Sequence, residues 1–284
     1  MALVLASFLP AGSAFAEAKG KPGAEPAAAA PPLTKASLAK LKSSDPDEIK
    51  AGLDDARVSG KGALAAAPLI VDLLQKGLPY PLTVAAIDTL GDIESEPTSA
   101  TVSWYARHRN LEIRRSAVKA LVHIKGAPAV KALRVALSDE DTRVRGFAAL
   151  GLGSLRARET VADLFVALDH KVNEAAVSIG QLCVPSACEA LEGRLGHIPF
   201  DVVSSGLDQI LFRPTGEVSD DAKVRLIGRV RELGTGEVNL FLRDVLGRWP
   251  KTWSTRVKQS IDQAVLATSG SPVNSPRESA SGGQ

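Results

Sequence analysis

Sulfur and aromatic side chains are scarce in this chain: two cysteines, one methionine and an aromatic fraction of 4% across 284 residues. Two cysteines exclude a disulfide framework, a cysteine-rich zinc module and a cysteine-ligated cluster. No apolar run reaches the roughly 18 residues that a membrane-spanning helix needs. The sequence has no glycine-rich phosphate loop, no Gly-x-Ser-x-Gly elbow and no His-Glu-x-x-His, and its carboxylates form no evident acid/base pair. Neither sign of charge dominates: 34 Lys and Arg face 32 Asp and Glu, for a net charge of +2. That balance excludes a strongly polycationic or polyanionic chain. With so few rings, the 45% hydrophobic content rests on small and aliphatic side chains, which suits close-packed helices.

The ends read as processing and linker sequence. Residues 2–16 are apolar and finish in Ala14-Phe15-Ala16, the small-x-small pattern of an export signal cleaved after Ala16. No basic segment leads them, which is expected if the start lies further upstream or the N-terminus has been trimmed. No cysteine follows for lipid attachment. Residues 17–33 are Ala/Pro-rich and offer no amphipathic face, so they are expected to be a disordered tether, and residues 268–284 a disordered tail. Between them, 34–202 and 203–267 are expected to be a helical-repeat region and a divergent C-terminal helical cap.

The repeat is visible by shifting the chain against itself. LTVAAIDTLGDI from Leu82, IRRSAVKALVHI from Ile113 and VRGFAALGLGSL from Val144 superimpose at a spacing of 31. Second helices follow in the same register, marked by Val102, Leu133 and Leu164. A fixed period of this size signals a solenoid. Ile113, Ala117 and Leu121, like Val130, Leu133 and Leu137, fall on one helical face, so each unit reads as an antiparallel helix pair. Gly126 and Pro128 mark the turn within a unit, and Asp139 and Asp141 can cap the next helix. The fifth unit arrives four residues early, and the loss lies between His170 and Ala175. A weaker first unit spans about Asp45 to Gly77.

These features resemble the short HEAT-like repeats of the phycobilisome-lyase type, well over 45–195 and loosely over 203–266. The diagnostic residues are an Asp in the inter-repeat turn and an Arg six positions later, here Asp139 and Arg145. The resemblance implies a right-handed α-solenoid and an intramolecular ladder through that pair. Arg114 stands at the Arg position one repeat earlier, but its partner position holds His108, so the ladder is interrupted. No His-Glu pair occurs, so the resemblance does not extend to HEAT-like di-iron hydroxylases.

Charge comes in bands. Residues 45–96 carry net −6, 107–158 net +8, 159–222 net −8 and 223–258 net +6. Because each solenoid unit touches mainly its neighbours, bands in sequence become bands in space. The basic band offers Arg107, Arg109, Arg115, Lys119, Lys131, Arg134, Arg143, Arg156 and Arg158 to a protein partner with an acidic surface; the competing reading is a solvated face plus ladder arginines. Nucleic acid is not expected as a partner of an exported chain.

His108, His170 and His197 form a file at repeat-equivalent positions. Stacked helix pairs place such positions roughly 8–10 Å apart, too far to share one ion, so helix capping is the preferred reading and no metal or cofactor is expected. Cys183 and Cys188 flank a turn and can either form a disulfide or remain free; two partly buried thiols are the preferred reading. Trp249 and Trp253 seal the solenoid end or, if exposed, anchor a partner. The missing turn either opens a notch near Glu174 or is ordinary repeat drift. The sequence therefore predicts a monomeric, non-catalytic HEAT-repeat scaffold, periplasmic or secreted. The alternatives are a phycobilisome-lyase-like chromophore lyase or isomerase, and a metal-binding envelope protein.

Overall fold

The computed structural model describes residues 32–270, so the export signal, nearly all of the tether and residues 271–284 lie outside the described residues. Among the described residues the chain is all-helical, with fifteen α-helices and three short 3-10 segments. The first unit pairs α2 (Pro46–Ser59) with α3 (Ala67–Lys76), preceded by α1 (Lys35–Lys40). Then come α4 (Tyr80–Ile93) with α5 (Ser99–Tyr105), α6 (Leu111–Ile124) with α7 (Ala127–Ala136), and α8 (Thr142–Ser154) with α9 (Val161–Asp169). Helices α4, α6 and α8 begin 31 residues apart.

Local chemistry sets these boundaries. Asn110 and Asp141 cap α6 and α8 by accepting from the N–H groups of the first turn, at 3.0 Å for both Glu112 and Val144. Gly126 takes φ 88° before α7, a left-handed turn that lets Pro128 sit in the first helical turn. Ile113, Ala117, Leu121, Leu133 and Leu137 are all buried, so one apolar stripe per helix faces the shared core.

The fifth unit, α10 (Ala175–Leu182) and α11 (Pro185–Glu192), is shortened at the expected place: α10 has 8 residues against 14 in α6 and 13 in α8. Residues 170–174 are turn and irregular backbone instead of helix, with Lys171 left-handed at φ 67°. Glu174 packs over the backbone of Gly146, where an added Cβ would meet its carboxylate at 2.8 Å.

Four helices complete the stack: α12 (Phe200–Leu211), α13 (Asp220–Glu232), α14 (Gly236–Arg248) and α15 (Thr255–Ala267). Even-numbered helices from α2 to α14 pack successively as one layer, while α5 packs on α7 and α13 on α15 in the other. Helices α10 and α12 meet backbone to backbone, since a Cβ on Gly180 would lie 2.1 Å from the Gly206 carbonyl oxygen and one on Gly206 2.3 Å from that of Ala176. Both ends of the ordered stack extend slightly past the sequence boundaries. Leu33 packs on the core. Thr268, expected in the tail, is buried and bonded to the Ala264 carbonyl and the Asn239 amide, each at 2.9 Å.

Candidate functional site

The ladder runs between repeats and not within one turn. Arg114, nearly buried on α6, donates Nε to Asp139 Oδ2 at 2.9 Å and Nη2 to Asp139 Oδ1 at 3.2 Å. Its Nη1 reaches back to the carbonyls of His108 and Arg109, and Nη2 also meets Glu140 at 2.7 Å. Those carboxylates hold the guanidinium in its charged form, raising its pKa. Arg145 bonds to the Asp139 backbone carbonyl at 2.7 Å and to no carboxylate, which corrects the Asp139–Arg145 pairing expected from the resemblance. The reason is geometric: the arginine side chain crosses the stacking distance to the next turn, 25 residues on, so Asp139 belongs to Arg114.

The basic band divides into engaged and free members. Arg115 is bonded to Asp141 and Glu112, Arg134 to Asp163 at 3.0 Å, and Arg158 lies 3.7 Å from Glu217. Arg107, Arg109, Lys119, Lys131, Arg143 and Arg156 make no salt bridge among the described residues, and Lys119 lies 6.0 Å over the Phe147 ring. Beside this band runs an apolar row that sequence reasoning missed. Trp104 is 82% exposed, Val135 45% and Val166 58%, and the three stand at repeat-equivalent positions 31 apart. Arg107 and Lys131 border the groove at Trp104.

The histidines do not act together. His108 Nδ1 accepts from the Asn110 N–H at 3.0 Å, a turn-closing role, and among the described residues no group of three His, Cys, Asp or Glu is placed to hold a metal. Cys183 and Cys188 are bonded to each other with Cα atoms 5.2 Å apart, where free thiols were preferred. The spacing of five across a helix start brings the two Cα atoms within bonding reach. Arg213 braces this corner, donating to the Cys183 carbonyl at 2.6 Å and pairing with Glu217 at 3.0 Å. The tryptophans face inward: Trp249 is buried, its ring 5.3 Å from Trp253 and 5.8 Å from Phe212. They cover Lys223, whose Nζ donates to the Arg213 carbonyl and lies 4.8 Å from the centre of the Trp253 ring. Burial pushes the Lys223 ammonium pKa down.

The strongest chemical candidate lies between α11, α12 and α13. A cavity of about 280 Å³ there is lined by Glu192, Arg225, Ile210, Val218 and Ala222, with the Cys188 corner as one wall. Glu192 is 8% exposed, and its nearest cation, Arg229 Nη1, is 3.9 Å away. Desolvation raises its pKa, with Arg229 and Arg225 opposing and Glu189 adding. A shielded carboxyl of this kind keeps its proton to higher pH than a surface glutamate, beside an arginine able to hold an anion. Neither residue was singled out from sequence. The available signal was a glutamate on an apolar stripe, since Cys188, Leu191, Glu192 and Leu195 follow helical spacing.

No family model matches the chain, and no curated protein matches it. Among solved structures, the complex of CpcE and CpcF of phycocyanin lyase from Nostoc sp. PCC7120 is similar at 18% identity and TM-score 0.45, over 87% of this chain and all of that one. Two engineered proteins are similar at 16% identity each: one with TM-score 0.48 over 82% of this chain and 68% of that one, the other with TM-score 0.40 over 85% and 100%. The expectation that the chain has no enzymatic activity is withdrawn: a lyase complex stands among the similar structures, and a shared fold does not exclude catalysis. The described residues form an all-α solenoid of stacked helix pairs.

Proposed function

We propose that this protein is a chromophore lyase or isomerase, acting on a tetrapyrrole linked to the cysteine of a partner protein, with Glu192 as the proton donor. The observation that carries this reading is a carboxyl of raised pKa opening on a cavity that also presents Arg225. Making or breaking a carbon–sulfur bond next to a conjugated double bond requires a proton to be delivered to, or taken from, carbon, and a buried carboxyl suits that task. Arg225 supplies an anchor for an acidic substituent, and Ile210, Val218 and Ala222 supply an apolar wall. At about 280 Å³ the cavity falls just below the range that encloses a drug-sized ligand, so it takes one end of a pigment and leaves the rest to the partner.

The test is transfer of a bilin to an acceptor protein with one reactive cysteine, followed by visible absorbance and intact mass. Wild type is expected to accelerate attachment or removal, and Glu192→Gln to lower that rate by roughly 10²- to 10⁴-fold with bilin retention unchanged. Failure of the wild type both to retain bilin and to change the transfer rate overturns the proposal. Glu192→Gln also carries a stability signature. Because its folded-state pKa is raised, the benefit of a protonated Glu192 is present below the unfolded carboxyl pKa and is lost as pH rises through the folded value. The variant is therefore expected to be the more stable at neutral pH and to lose that slope, as denaturant melts at several pH values will show.

The partner is proposed to carry an acidic surface and to dock over Trp104, Val135 and Val166 beside the free basic residues. Exposed apolar rows of this kind mark interaction sites, and Arg107 and Lys131 supply the complementary charge. Trp104→Ala is expected to weaken capture of the partner tenfold or more while leaving the melting temperature within about 2 °C, since 82% of its surface is already in water.

Export to the periplasm or cell exterior is part of the same proposal, supported by Ala14-Phe15-Ala16 and by a disulfide, a bond favoured in an oxidising compartment. Intact mass of the native protein is expected to show cleavage after Ala16 and no free thiol. Reactive thiols at Cys183 and Cys188 in freshly isolated protein would overturn the localisation.

A further inference from the structure

Arg114 shows how one inter-repeat turn in this protein holds a carboxylate. One repeat later, 31 residues on, Arg145 repeats the first half of that arrangement. Its Nη1 donates to the carbonyls of Asp139 and Glu140 at 2.7 and 3.0 Å, as Arg114 Nη1 does to those of His108 and Arg109. The second half is missing. The residue 31 after Asp139 is His170, so Nε and Nη2 of Arg145 find no carboxylate and make no hydrogen bond among the described residues. Arg145 borders a groove of about 420 Å³ whose other walls include Val166, Ala167 and His170. The acidic residues at its rim are already engaged, Asp139 by Arg114 and Asp163 by Arg134, the latter at 3.0 Å. What remains is a half-buried guanidinium with two donors unused, beside an aliphatic wall.

We propose that this gap in the ladder is a binding site for a carboxylate supplied from outside, seated on Arg145 as Asp139 is seated on Arg114. The sister turn fixes the chemistry: Nε and Nη2 each donate to one oxygen of a single carboxylate, which is how a guanidinium fork holds a carboxylate. Val166, exposed at the groove and part of the apolar row with Trp104 and Val135, favours an aliphatic residue next to that carboxylate. The ligand class is therefore a peptide carboxylate with an aliphatic neighbour, from either an acidic side chain or a chain terminus. The site is separate from the Glu192 cavity and stands whether or not the lyase reading holds.

Two peptide probes distinguish the sources: acetyl-Ala-Leu-Asp-Leu-Ala-amide, whose only carboxylate is a side chain, and acetyl-Ala-Leu-Ala-Leu with a free C-terminus. Each is titrated into the ¹⁵N-labelled full chain while the arginine Nε–H signals are followed by NMR. A saturable shift of the Arg145 Nε–H that weakens with added salt is expected with at least one probe, and the responding probe identifies the source. His170→Asp fills the gap from within and is expected to reduce binding at least tenfold, with the melting temperature unchanged or higher. Arg145→Gln is expected to abolish binding, and His170→Ala, which leaves the fork open, to keep it. No shift at Arg145 from either peptide, or equal binding by wild type, His170→Asp and Arg145→Gln, overturns the proposal.

Discussion

Replacing Gly206 by alanine is expected to lower the melting temperature by roughly 4 to 8 °C, and Gly180→Ala to do at least as much. Both residues lie where α10 and α12 run backbone against backbone. The new methyl on Gly206 would sit 2.3 Å from the Ala176 carbonyl oxygen and 2.7 Å from a Leu191 methyl, and that on Gly180 2.1 Å from the Gly206 oxygen. A side-chain neighbour can rotate away, but a carbonyl fixed in a helix can yield only if the helices separate. Overpacking of that kind costs about 3 kcal/mol. Against it stands the usual helical preference for alanine over glycine, about 1 kcal/mol, so the clash wins by about 2 kcal/mol. Gly228→Ala supplies the control: it lies within α13 and a Cβ there meets nothing within 4 Å, so only the helical gain operates and the melting temperature should rise. Thermal melts of the three variants decide the matter. A Gly206→Ala protein as stable as wild type would mean that α10 and α12 pack less closely than described.

The repeat architecture was legible because its signal is redundant. Ile113, Ala117 and Leu121 recur in kind one period earlier and later, and all lie in the core, so a reading based on any one unit is checked by the next. The lost turn before Ala175 could be located for the same reason, since a deletion in a periodic pattern displaces everything after it. The partners of polar groups were much less legible. Asp139 and Arg145 look like a local pair because they are six residues apart, yet the arginine that holds Asp139 is Arg114, one stacking step back. Spacing within a turn carries no information about which neighbour a five-donor side chain will reach. Glu192 and Lys223 were hidden for another reason. Both occupy apolar-stripe positions, Lys223 in line with Leu226, Ile227 and Val230, and a charge count treats them as solvated when they are 8% and 1% exposed. Trp104 was overlooked because a lone tryptophan in a helical pattern reads as core, and only the stacking shows that its column, with Val135 and Val166, faces water.

Asp139→Ala is expected to cost about 3 to 5 kcal/mol, the larger of the two main stability effects, because it strands a buried guanidinium. The Arg114 side chain is 8% exposed and that of Asp139 11%, so neither charge recovers its hydration when the other is removed. Asp139 also accepts from the Asp141 N–H at 2.9 Å, and Asp141 in turn caps α8, so the substitution loosens the start of the next repeat as well. Glu140 cannot replace it. Although it lies 2.7 Å from Arg114, its side chain is 83% exposed, and an ion pair with one partner in water contributes about 1 kcal/mol at most. Arg114→Leu should be milder than Asp139→Ala, since it adds apolar volume where the guanidinium lay and leaves Asp139 with a backbone donor. The double variant Arg114→Leu with Asp139→Ala should recover part of the loss, giving a coupling of about 1 to 3 kcal/mol in a double-mutant cycle. Chemical denaturation of the four proteins at low and high salt measures it, and the coupling of a pair this shielded should change little with salt. Strict additivity would show that the ladder rung carries no energetic weight of its own. A strong coupling would explain how the Arg114–Asp139 rung, with the Arg115–Asp141 and Arg134–Asp163 pairs beside it, holds the middle of a stack whose next rung, at Arg145 and His170, is left open.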